Sequence, residues 1–151
     1  MALVLGTTYN NVFYDNVLKK LRSIITTDRS CTVYVSPVYK DMGSYSVRMW
    51  GTSSESDEIF ANEWRRVYNV ELAIYAIGKD GNERFYEQLY SDAERLHQLL
   101  YNNTNNGASS FPWHDGVVGE IVFDEFEEGE EGVDGLHVAK ISFSCRLSRA
   151  D

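Results

Sequence analysis

The segment from Leu136 to Leu147 settles into strict alternation of apolar and polar residues. Ala139, Ile141, Phe143, Cys145 and Leu147 fall on one face, and Lys140, Ser142, Ser144 and Arg146 on the other. A period of two belongs to an extended chain, so this is a strand with one side for a core and the other for water or a partner. The segment before it, Val117-Val118-Gly119-Glu120-Ile121-Val122-Phe123, also reads as a strand. Between the two, Asp124 to Asp134 reads DEFEEGEEGVD, with seven carboxylates in eleven residues and two glycines. A run so charged does not pack, and it is predicted to be the solvated connection of a hairpin. A sheet with one polar face and an acidic tip points to a surface that meets something rather than to a pocket that does chemistry.

Such a half-apolar sheet requires a second layer, and the rest of the chain supplies it. The spacing of Phe13, Val17, Leu21 and Ile24 predicts a helix from about Asn11 to Ile25, capped by Asn10 or Asn11 and ended by Thr26–Ser30. Strands are predicted at Cys31–Val35 and Tyr45–Trp50, separated by a turn at Asp41–Ser44. Gly51 to Glu58 has the composition of a projecting polar loop. Trp64 to Ile77 is the longest predicted strand, with Tyr68, Val70, Leu72, Ile74 and Ala76 on one face and a mixed set, Asn69, Glu71, Ala73 and Tyr75, on the other. A second helix follows, from a cap at Asn82 to near Tyr101. Its apolar stripe is Phe85, Leu89, Ala93, Leu96 and Leu100, flanked by Tyr86, Tyr90 and His97, with Glu83, Glu87, Asp92 and Glu94 outside. The Asn-rich tract 102–107 ends it. The order α, β, β, β, α, β, β predicts a single α+β domain over residues 1–151, a mainly antiparallel sheet with two helices on one face.

Composition narrows the function. The net charge is −9, from 23 acids and 14 bases, which argues against holding a phosphate backbone, since that needs Lys and Arg to displace counterions. Ten tyrosines, seven phenylalanines and three tryptophans favour contact surfaces, although cores also use tyrosine at their edges. Cys31 and Cys145 read as two buried thiols in a reducing environment. Met1 to Gly6 lacks a basic leader, and no apolar run reaches the length of a membrane span, so the sequence predicts a soluble protein made in a cytoplasm.

Chemical motifs are sparse. His97, His114 and His137 are read as scattered surface residues on a helix, a loop and a strand start, without the spacing of metal ligands. Neither cysteine has the neighbours of a nucleophile, and the glycines form no phosphate-binding loop. Asp124 and Glu125 could bind a divalent cation beside Lys140, as in a metal-dependent nuclease, but carboxylates at a hairpin tip lack regular ion-binding spacing. No enzyme, cofactor or metal site is predicted. The small basic groups, Lys19, Lys20 and Arg22 and then Arg65-Arg66, read as solvated surface.

The order of elements resembles the tail terminator proteins of tailed bacteriophages, over most of the chain. The resemblance rests on an opening helix, the strand pair Cys31–Val35 and Tyr45–Trp50, and the polar loop Gly51–Glu58. It continues through the central strand Val67–Tyr75, the long helix carrying Ser91–Leu100, Trp113 and Asp115-Gly116-Val117, the acidic segment, and the final strand Val138–Cys145. These are architectural motifs, and their order carries the weight.

The resemblance implies a virion structural protein at the head–tail junction, made in the cytoplasm of a host bacterium. It would form a homo-oligomeric, hexameric ring that binds the tail-tube protein on one side and a neck or head-completion protein on the other. DNA would pass through without specific binding. Candidate interface or channel-facing residues are Asp124, Glu125, Glu127, Glu128, Glu130, Glu131, Lys140, Ser142, Ser144 and Arg146. Acids facing a channel would repel phosphates and keep DNA from sticking; whether the acidic tips face the channel, the tube or solvent is left open by the sequence. The alternatives are a head-completion or stopper protein contacting the portal, a metal-dependent nucleic-acid enzyme, and an isolated tyrosine-rich binding module.

Overall fold

The computed structural model describes residues 3, 6–37, 45–56, 65–78, 83–104, 114–126 and 136–148. Five strands form one sheet: β1 (Val33–Tyr34), β2 (Tyr45–Ser56), β3 (Arg65–Ile77), β4 (His114–Phe126) and β5 (Leu136–Ser148). Their order is β1-β2-β3-β5-β4, antiparallel throughout except for the short parallel pairing of β1 with β2. Two helices, α1 (Lys19–Asp28) and α2 (Glu83–Thr104), pack on one face. The α+β architecture and the one-sided helical layer are those predicted. The last strand returns between β3 and β4, so the most regular amphipathic strand lies inside the sheet.

The core forms where the two periods meet. Val47 and Met49 of β2, Tyr68 to Ala76 at alternate positions of β3, and Ala139 to Leu147 at alternate positions of β5 face Leu21, Ile24 and Ile25 of α1 and Leu89, Ala93, Leu96 and Leu100 of α2. Each large aliphatic side chain buried this way contributes about 1.5–3 kcal/mol relative to exposure.

Four local readings need correction. First, the opening helix begins with a π-helical turn, Phe13–Leu18, and runs through Asp28 rather than stopping at Ile25. Asn11 does cap it, its side-chain oxygen accepting the Tyr14 N–H at 3.3 Å. Within the extension, Thr26 and Thr27 donate their hydroxyls back to the Arg22 and Ser23 carbonyls, the rotamer choice that satisfies a helical threonine locally.

Second, Cys31–Val35 narrows to two paired residues. Third, Gly51–Ser56 is not a projecting loop; it continues β2, with a bulge between Gly51 and Ser53. Thr52, Ser53 and Ser54 find side-chain partners within the sheet. Thr52 Oγ1 donates to the Asn69 carbonyl at 3.1 Å, Asn69 Nδ2 donates to Ser53 Oγ at 2.8 Å, and Arg66 Nε donates to Ser54 Oγ at 2.7 Å. Fourth, β4 extends through Phe126, so Asp124 and Glu125 belong to a strand and not to the hairpin tip. The sequence reading of residues 57–58, of the Asn82 cap and of 127–134 lies outside the described residues.

Candidate functional site: the sheet face opposite the helices

The face that α1 and α2 leave bare is divided into two halves. At the end formed by early β2, late β3 and early β5, Ala73, Tyr75, Leu136 and Val138 make a second small apolar cluster, with Trp50 and Ile77 against it. Arg48 is fully buried there, its guanidinium between the rings of Tyr34 and Tyr75. Tyr75 donates its hydroxyl to the Pro37 carbonyl at 2.7 Å, which brings the segment after β1 over this end.

The other half is polar. Thr52, Ser53, Asn69, Glu71, Ser142 and Ser144 surround a shallow depression of about 340 Å³, with Val117 at its β4 side. Strand register explains the grouping, because Asn69 stands opposite Ser144 and Glu71 opposite Ser142 on adjacent strands. Gly119 completes the floor. Any side chain there would collide with the Ser142 hydroxyl, so glycine allows β4 to approach β5 at the bulge after Val118.

Charge sits at the border of the two halves. Lys140 Nζ lies 3.3 Å from the Asp124 carboxylate. Burial pushes the Glu71 carboxyl above its usual range, and the nearby Lys140 ammonium partly offsets that. A cation thus stands between two carboxylates on three consecutive strands, β3, β5 and β4. Glu71 stands opposite Ser142 and Asp124 opposite Val138, so their backbone positions differ by two inter-strand spacings and four residues along β5, roughly 16 Å, too far to share one ion. Among the described residues, no group of three or more His, Cys, Asp and Glu gathers in a way that could hold a metal.

The structure therefore brings Lys140, Ser142, Ser144 and Arg146 to one face, as the alternation predicts, and adds Asp124 as the partner of Lys140. Arg146 is exposed beside Val67 and His114. Glu125 pairs in register with His137. Glu127, Glu128, Glu130 and Glu131 lie outside the described residues.

The histidines correct the sequence reading. His114 lies in β4 rather than in a loop. His97 is half-buried, with Nε2 2.9 Å from the Gly119 carbonyl. His137 is buried, its ring against Phe85 and Tyr86 and its Nε2 3.2 Å from the Gly78 carbonyl. Asp92, expected outside the helix stripe, is buried and accepts from Arg29 at 2.8 Å and from Gln88 at 3.1 Å. Its signal was present: Asp92 stands three residues after Leu89 and four before Leu96, at stripe spacing.

Cys145 is buried, which pushes its thiol up to about 12, and Cys31 is partly buried, with its thiol also raised by burial; both are free. No described helix is long and apolar enough to cross a membrane. Compared with known proteins, the chain matches no family model and no curated protein.

Proposed function

We propose that this chain is a structural subunit of the tail-terminator type, which closes the end of a bacteriophage tail tube and joins it to the neck. In this reading it acts without a cofactor and without catalysis. The observation that carries it is the segregation of the sheet's two faces. Both α1 and α2 pack on one side, and the other side offers hydroxyls, an amide and the charges of Glu71, Lys140 and Asp124. A hexameric ring with that face toward a wet channel or a neighbouring subunit would present polar groups of both signs, without the array of bases that grips a phosphate backbone. DNA would then pass without sticking.

The partners in this reading are further copies of the chain, the last ring of tail-tube protein, and a neck or head-completion protein, at the head–tail junction of the virion. The test is to add purified protein to polymerising tail tubes. Tubes of fixed length, with a ring at one end in electron micrographs, are the expected result. Unregulated tube length would remove the role, and capture by the portal but not by tube protein would reassign the chain to a head-completion or stopper protein.

A further inference from the structure

We propose that the outer edge of β4, together with the aromatic ridge of α2 beside it, is a docking site for an extended, basic segment of another protein, which adds to the sheet as a sixth strand. Strand β4 closes one end of the sheet order, so among the described residues its outer edge has no partner. Its bulges lie between His114 and Ile121, and from Ile121 to Phe126 the register with β5 is unbroken. In those six residues, alternate N–H and C=O groups point away from β5, which is the template an added strand uses.

Side chains on both faces of this run are ready for such a strand. Val122 is 41% exposed and Phe123 44% exposed, although both are large and apolar. Phe123 is held edge-to-face against Tyr90 of α2, with ring centres 4.9 Å apart, and Tyr90 is itself 49% exposed. An incoming strand would lay alternate side chains against Val122 on one face and against Phe123 and Tyr90 on the other.

Charge selects the occupant. Glu83, Glu87 and Glu94 are exposed and share the helical stripe of Tyr90, and Glu120 is exposed on β4; Asp124, on the same strand, is already paired with Lys140. Among the described strands, a second copy of this chain offers no open basic edge. Pairing β4 with β4 would double these acids, and the outer edge of β2 beyond β1 carries Glu55 and no base. The strands rich in bases, β3 and β5, already have both edges occupied. The complementary partner alternates apolar residues with lysine or arginine. This inference does not depend on the tail-terminator reading.

The probe is a fluorescent decapeptide of alternating valine and lysine, with a valine–glutamate peptide as control, followed by anisotropy and by amide hydrogen exchange. The lysine peptide is expected to bind and to slow exchange within residues 121–126 by about tenfold or more. Tyr90→Ser and Phe123→Ser, each checked for an unchanged circular dichroism spectrum, should weaken it by about tenfold. Tyr90 is exposed on a helix, so its replacement remains informative if the strand variant fails to fold. The proposal is overturned if neither peptide binds, if the glutamate peptide binds equally, or if Tyr90→Ser leaves the affinity unchanged. Concentration-dependent dimerisation abolished by Phe123→Ser would also overturn it, in favour of self-pairing.

Discussion

The guanidinium carbon of Arg48 lies 4.6 Å from the centre of the Tyr75 ring, on the sheet face opposite the helices. Tyr34 approaches the same guanidinium at 5.4 Å, and Arg48 Nε donates to Ser46 Oγ at 3.1 Å. A charge held this deeply survives through ring faces and hydrogen bonds, which replace part of its lost hydration. Arg48→Ala is expected to cost about 2–4 kcal/mol. Tyr75→Phe, which removes the hydroxyl bond to Pro37, should cost about 1 kcal/mol. Urea denaturation of the Arg48→Ala, Tyr75→Ala and double variants should give a coupling of about 0.5–2 kcal/mol; strict additivity would mean that the ring contact contributes nothing.

Two ion pairs that tie the C-terminal end of α1 to α2, one from Asp28 and one from the Arg29 that follows it, differ in burial, and their contributions should differ accordingly. Arg29–Asp92 is largely shielded, whereas Arg95–Asp28, also at 2.8 Å, is open to water on the arginine side. Asp92→Ala leaves a shielded guanidinium without this carboxylate and is expected to destabilise by about 3–5 kcal/mol, with little change at 1 M salt. Arg95→Ala is expected to cost less than about 1 kcal/mol, and salt should remove most of that. Equal losses in denaturant titrations would show that burial does not govern these pairs.

Gly51 is where the opening π-turn meets the sheet. A Cβ there would lie 2.5 Å from the Phe13 ring, which also rests edge-on against Tyr68 with ring centres 5.0 Å apart. Gly51→Ala must push this ring away and should cost about 1–3 kcal/mol. Adding Phe13→Leu should recover part of the loss. A thermal melt of Gly51→Ala that matches the wild type would remove this account of the contact.

Glu71 should make stability depend on pH in an unusual direction for an acid. Because burial raises its carboxyl above the reference of 4.5, the folded state holds the proton more tightly than the unfolded chain does. Its contribution is complete below about pH 4.5 and is lost as pH rises through the elevated value. Glu71→Gln is therefore expected to raise Tm by about 1–2 °C at pH 7 and to leave it unchanged at pH 4. A lower Tm at pH 7 would show that attraction to Lys140 outweighs burial.

The thiols should separate by access. At pH 8 a disulfide reagent is expected to modify Cys31 slowly and Cys145 only after unfolding, since burial holds the Cys145 thiol protonated to about 12. The raised value means that Cys145 contributes stability below the reference of 9.0 and loses it as pH climbs toward about 12. Melting temperatures between pH 9 and 11 should fall more steeply for the wild type than for Cys145→Ala. Rapid modification of both thiols in the native state would contradict the burial.

What the sequence determined by itself was the set of faces. Alternation along β3 and β5 and the 3.6-residue stripe of α2 specify which side of each element is buried, because burial selects residues directly and leaves a period in the chain. From that alone the one-sided α+β layer and the bare face bearing Lys140, Ser142, Ser144 and Arg146 were legible. Neighbours were not, because a period reports which way a side chain points and is silent about what lies beside it. The predicted hairpin already set Lys140 beside Asp124; it took the folded sheet to place β3 on the far side of β5, and so to bring Glu71 near Lys140. It likewise decided that the polar run Gly51–Ser56 is a strand, since its hydroxyls are satisfied by Asn69 and Arg66 from a segment distant in sequence. Arg48 shows the same limit, since a charge reads as exposed until the rings of Tyr34 and Tyr75 and the carbonyl of Pro37 close over that end of the sheet.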